Sequence, residues 1–212
     1  MRLFCGMLLG KVSTMSKGEL TRQKIVELAA PIFNQHGYAG SSMHDVMQAT
    51  GLEKGGLYRH FGSKEELAAE SFRYALNQTI QVRSEGLDTI SSALEKLRHI
   101  VRQFVQVPSP TPGGCPLMNT AVDADDGNPV LRKLAAEAVS DWKCRLTVII
   151  EDGMRRREIR KSANSRRIAN TVIAALEGAL MISRVEGNRT ALCDVQESLE
   201  SLFEEIACKQ RG

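Results

Sequence analysis

Residues 54–64 hold Lys54, Tyr58, Arg59, His60 and Lys64, side chains able to hydrogen-bond phosphate oxygens and base edges. They ride on Gly55-Gly56-Leu57-Tyr58-Arg59-His60-Phe61, a segment too short and too polar for a core helix. Arg59 suits base readout, because one guanidinium can bind guanine O6 and N7 together. Tyr58, His60 and Lys64 suit phosphate contacts, and Gly55 and Gly56 would let a helix N-terminus come close to an anion. Ser42 and His44, with Lys54, complete the expected DNA-contacting set. Taken singly, each residue fits an ordinary solvated face. Together, on a helix that follows another helix and a glycine turn, they fit a helix-turn-helix.

The elements that position them are legible from spacing. A first helix is expected from an N-cap at Thr21, with Ile25, Leu28, Ala29, Ile32 and Phe33 as its buried stripe. Pro31 should bend this helix at a cost of roughly 3 kcal/mol, and Gly37 should stop it. A second helix opens at Ser42, with Asp45 reaching back as in a capping box. Val46, Met47 and Ala49 should face inward, Gly51-Leu52 should supply the turn, and Leu57 and Phe61 should anchor the recognition helix.

The run from Thr21 to Phe72 resembles the DNA-binding domain of the TetR family of transcriptional regulators. Gly37-Tyr38, Ser42-Met43, Asp45-Val46, Gly51-Leu52, Lys54-Gly55, Leu57-Tyr58, His60-Phe61 and Ser63-Lys64-Glu65 stand at the places of the family pattern. Ser41, Thr50 and Pro31 depart from it without touching the presumed contact set. The resemblance implies a homodimeric repressor that binds double-stranded operator DNA and answers to a small-molecule effector. It also implies that Leu176-Glu177-Gly178-Ala179-Leu180 belongs to a dimer-forming helix pair at the end of the chain.

Composition bounds the remainder. Apolar residues make up 42% of the 212, aromatics only 5%, and the net charge is +3, mild for a nucleic-acid binder. DNA affinity must then come from placement and from doubling in a dimer, with no broad basic field to supply it. Cys5, Cys115, Cys144, Cys193 and Cys208 show no disulfide framework or zinc spacing, which fits a reducing cytoplasm and predicts neither metal nor cofactor. No segment reads as long and apolar enough to cross a membrane. Only His99 lies beyond the head as a base for a nucleophile, so no catalytic set emerges.

The expected fold is all-α: residues 1–18 a disordered leader or a mis-assigned start, residues 19–65 a three-helix head, and residues 66–212 a larger helical domain for ligand binding and dimerisation. The head's connector should run from Ser63 to Gly86, with further helices from about Thr89, after Pro116, from Val130 to Arg157, from Ser165 to Glu186 and from Asp194 to Cys208. Asp123, Asp125 and Asp126 lack calcium-loop alternation and read as a solvated helix end. The run Arg155 to Lys161, with Arg166 and Arg167, reads as a solvated connection rather than a second nucleic-acid patch. The last two helices should pair across a two-fold axis.

A ligand pocket is expected between the middle helices, walled by Phe104, Cys115, Leu117, Met118, Asn119, Trp142 and Met181. Cys115, after two glycines and before Pro116, opens an alternative: a thiol-switched sensor of oxidants or electrophiles.

Overall fold

The computed structural model describes residues 16–208, so most of the expected leader lies outside the described residues. Ser16 caps α1 (Lys17–Gly40): its hydroxyl accepts the Glu19 N–H at 3.3 Å and the Glu19 carboxylate accepts the Ser16 N–H at 2.7 Å. The expected cap at Thr21 is one turn too late, and Thr21 instead donates its hydroxyl to the Lys17 carbonyl. Pro31 does not end the helix. The break falls at Gly37, whose φ of 73° and ψ of 171° leave helical geometry before a last turn to Gly40.

Ser42 and Asp45 cap α2 (Met43–Thr50) reciprocally, and Gly51 closes it in a left-handed conformation. α3 (Lys54–Tyr58) ends earlier than the sequence pattern implied, so Arg59 and His60 lie in the turn after it. Ile25, Val26, Ala29, Val46, Leu57, Phe61 and Leu67 form the head's core, with Met47 and Leu52 packed against it. Ala49, expected inside, is exposed: in so short a helix only Val46 is fully buried.

α4 (Lys64–Arg83) starts at the Ser63 cap and belongs to both halves of the molecule. Its Leu67 closes the head core, while Phe72 packs with Cys115, Leu117 and Ala135. A 3-10 turn at Leu87–Thr89 delays α5 (Ala93–Gln106), whose cap is Ser92 rather than a residue near Thr89. α6 (Pro116–Asp123) and α7 (Pro129–Arg155) both begin with proline in the first turn, where its missing N–H costs nothing. α8 (Ser165–Glu186) has the expected bounds; α9 (Thr190–Ile206) starts one turn earlier than expected. Leu97, Val101, Leu146, Ile150, Leu176 and Phe203 sit in the body core between α5, α7, α8 and α9.

The direction of α7 settles where the basic run lies. Its N-cap Asn128 bonds Glu65 beside the head, at 2.8 Å, and the helix then runs away to Arg155. The arginines therefore stand at the pole remote from the head, partly paired with Asp152 and Glu158.

One expectation about membranes fails on its own terms: α8 is long and apolar enough, by length and composition, to cross one. Its apolar residues have other employment. Ile168, Ala169, Val172, Leu176 and Ala179 are buried against the body core.

Candidate nucleic-acid interface and the body behind it

In the head, Ser42, His44, Lys54, Gly55, Tyr58 and Arg59 are exposed, whereas Gly56, His60 and Lys64 are half-buried. Tyr58 is 42% exposed, although Leu57 beside it is completely buried. α3 thus turns one side into the core and leaves Tyr58 and Arg59 outward. The Lys54 ammonium lies 5.9 Å from the Tyr58 ring centroid, and the Lys64 ammonium lies 4.2 Å from that of Tyr38. Ser42 donates its hydroxyl to Asp45 at 2.8 Å, and the hydrogen bonds from Ser42 hold the Asp45 carboxyl below its ordinary range.

Sequence spacing gave no sign of the residue that holds the recognition helix from behind. Arg22 of α1 donates to the His60 carbonyl, to Glu66 at 2.9 Å and to Glu70 at 2.6 Å, and lies 4.1 Å over the Phe61 ring. Partial burial works against its charge, yet Glu66 and Glu70 hold its pKa above the ordinary value. The Arg22 hydrogen bond and the Gly62 N–H in turn lower Glu66. Because α3 has no side-chain cap at its own N-terminus, this contact at the far end fixes its orientation. Only an arginine spaced to meet α4 hints at it, and its partners lie 38 to 48 residues away.

A second unforeseen arrangement joins the head to the body. The break at Gly37 frees groups at the end of α1, and α6 takes them up. Asn119 donates to the Asn34 carbonyl at 2.9 Å, to Asn34 Oδ1 at 3.1 Å and to the Gly113 carbonyl at 2.9 Å. One turn later, Asp123 accepts the Tyr38 N–H at 2.6 Å. Asn34 donates to the Pro112 carbonyl at 2.8 Å. A cavity of about 20 Å³ lies along this seam, room for one water molecule.

Of the expected ligand contacts, Phe104, Cys115, Leu117, Met118 and Trp142 come together in the body. Phe104 and Trp142 stack with centroids 5.8 Å apart. Two residues do not join them. Asn119 spends its amide on the seam, and Met181 points outward with 51% of its surface exposed. Sequence periodicity marks α8 as amphipathic, but the adjacent Leu180 and Met181 both border its apolar stripe, so spacing alone could not tell the inner Leu180 from the outer Met181. The Cys115 thiol is buried and donates to Glu177 Oε1 at 2.9 Å; burial first, then Glu177, push its pKa far above the ordinary thiol range. That is the opposite of an activated thiolate. Among the described residues no three histidine, cysteine or acidic side chains gather as a metal site.

Residues 25–70 match the family model for bacterial regulatory proteins of the tetR family, and residues 93–199 match the tetracyclin repressor-like C-terminal domain. The chain is 28% identical over 177 residues to the transcriptional repressor DhaR of Mycobacterium sp. (strain GP1), covering 81% of this chain and 86% of that one. It is 25% identical over 192 residues to the transcriptional regulator LmrA of Bacillus subtilis, covering 89% and 99%. A TetR-family regulator from Cytophaga hutchinsonii superposes with a TM-score of 0.88 at 37% identity, covering 93% of this chain and all of the other. One from Chloroflexus aurantiacus gives 0.85 at 37% identity, covering 91% and 98%. With both halves matched, an outward-facing recognition helix and an all-helical body, this chain belongs to the TetR family of DNA-binding transcriptional regulators.

Proposed function

We propose that the protein works in the cytoplasm as a homodimeric repressor, released from its operator by a small molecule bound in the body. In this reading Arg59 contacts a base edge; Tyr58, His60 and Lys64 contact phosphates; and Ser42, His44, Lys54, Gly55 and Gly56 line the approach to the duplex. The release mechanism rests on one observation above all, the fastening of Asn119 and Asp123 to the broken end of α1. Any shift of α6 is thereby felt by the head. Two heads on a two-fold axis must match half-sites about one DNA turn apart, roughly 34–36 Å, so a swing of α4 and α6 misaligns them. An effector that prefers the misaligned state about 100-fold couples to DNA by nearly 3 kcal/mol, and DNA must weaken effector binding by the same factor. Calorimetric titration of effector with and without operator tests this: equal affinities remove the switch from the reading.

Support for the dimer comes from α8. Ala174, Met181, Ile182 and Val185 are exposed at helical spacing, Val185 at 83%, and nothing lies within 4 Å of where a Cβ on Gly178 would project. A stripe of this kind with a glycine at its middle lets a partner helix approach closely. Leu180 and Leu202 pack inward, so Met181→Glu and Val185→Glu are the cleaner probes. Each should give monomers by sedimentation and lose operator affinity; fully dimeric Met181→Glu protein would remove α8 from the interface.

The thiol-switch alternative finds no support in a buried Cys115 already engaged by Glu177.

A further inference from the structure

The body holds two half-buried ionisable groups, Arg83 and Glu177, that no ion pair among the described residues joins. Arg83, in the last turn of α4, lies 4.2 Å over the Phe104 ring and donates Nε–H to the Val107 carbonyl at 3.1 Å. It joins none of the ion pairs found among the described residues, and its Nη nitrogens make no hydrogen bond there. Phe104 stacks in turn on Trp142, which is only half-buried. Cys115 and Glu177 lie within reach of the Arg83 charge. Glu177 Oε1 accepts the Cys115 thiol, whereas Oε2 is buried without a partner. Cys115 is also the N-cap of α6, an eight-residue helix with no side-chain cap.

A cation could pair with Glu177, or an anion with Arg83. The two acids differ in what they can give up. Arginine keeps its proton at every relevant pH, so burial leaves Arg83 charged. A carboxyl can become neutral, and burial pushes Glu177 in that direction, against the pull of Cys115 and Arg83. A neutral Glu177 also avoids the larger penalty of an ionised carboxylate with one oxygen buried and unpaired. The N-terminus of α6 adds partial positive charge on the same side of the balance. An anion is favoured.

We propose that this cluster is the polar end of the effector site and takes a carboxylate on an apolar body, its head paired with the Nη edge of Arg83 and its body along the half-buried Trp142. The inference rests on the effector reading above and names the class of molecule that reading leaves open. A guanidinium fork suits the two oxygens of a carboxylate, and Trp142, backed by the buried Phe104, supplies an apolar wall.

The test uses the full chain with octanoate and benzoate as probes, each against its matched amide, and with octylamine as the cationic counterpart. Calorimetry and thermal denaturation should show the carboxylates binding at least tenfold more tightly than the amides. Arg83→Gln should abolish that preference, Arg83→Lys should narrow it by losing the fork, and Glu177→Gln should retain it. If Arg83→Gln does not fold, Arg83→Lys decides. Tighter binding of octylamine, no binding of either carboxylate, an unchanged preference in Arg83→Lys, or loss of carboxylate binding in Glu177→Gln would overturn the proposal. Operator release is read separately, on duplexes selected in vitro by the wild-type protein. Carboxylate binding without release would keep this site and remove the effector reading; release by octylamine without carboxylate binding would do the reverse.

Discussion

The head and the body solve opposite problems with the same element. In the head, three helices pack Leu57 and Phe61 with no exposed surface, and the partly buried Arg22 is answered by two carboxylates and a carbonyl. In the body and along the seam, Ser71, Glu177 and Ser183 each keep a buried oxygen without a partner, and Arg83 has no carboxylate in contact. Satisfied polar groups rigidify, while unsatisfied ones leave a structure ready to rearrange around something that completes them. The polar groups of the head are matched in place, whereas the body keeps buried groups open to a partner.

That contrast can be broken most forcefully in the head. Phe61→Ala removes a fully buried ring, and about 3–5 kcal/mol of head stability should go with it. DNA binding should vanish while the body's helical signal survives; denaturation followed by both circular dichroism and operator binding separates the two. Persistence of operator binding would mean that the head core tolerates what rigid packing forbids. Next in size, Arg59→Ala should cost about 1–3 kcal/mol of operator affinity and relax one base preference. Lys64→Ala should weaken all sequences alike and flatten the salt dependence, a comparison that binding at several ionic strengths provides.

The body should respond with the opposite sign. Burial raises the folded-state pKa of Glu177, so its stabilising contribution is complete below the ordinary carboxylate range and is lost as pH rises through the raised value. Glu177→Gln cannot ionise and keeps an oxygen for the Cys115 thiol. It should therefore be more stable than wild type at alkaline pH, by on the order of 1 kcal/mol, with the gap closing in mild acid. Chemical denaturation of both proteins across pH reads this, and a gap between variant and wild type that fails to open as pH rises would contradict the burial of an unpartnered carboxyl. The smallest effect belongs to neither half's core. Arg157 sits at φ 62° just past the end of α7, where glycine is at ease, so Arg157→Gly should add roughly 0.5 kcal/mol to the thermal stability of the body, the left-handed strain relieved less the extra freedom of an unfolded glycine.

What the sequence made legible follows the range of the interactions. Ser42 with Asp45, Gly51, and the bounds of α8 between Asn164 and Gly187 are local signals, and they read correctly. Thr21 and Ser16 are both good caps, and only the packed helix distinguishes them. Arg22 with Glu66 and Glu70, Asn119 with Asn34, and Cys115 with Glu177 join residues 44 to 85 positions apart, beyond anything periodicity can detect. Asn119 shows the cost most plainly. A polar residue beside Cys115 and Met118 reads as a ligand contact until α1 is seen to end against it.

Every fixed point of the recognition helix lies on its inner side: Leu57, Phe61, and the Arg22 contact at the His60 carbonyl, a backbone atom that any residue there would offer. Tyr58 and Arg59 are left with little structural duty. Substitutions at these two positions can therefore be sampled, by drift or by design, at almost no expense in folding. A duplicated copy of this chain could acquire a new operator through the base contact proposed for Arg59, with Tyr58 free to adjust its hold on the backbone, and still keep the old head core and the old seam.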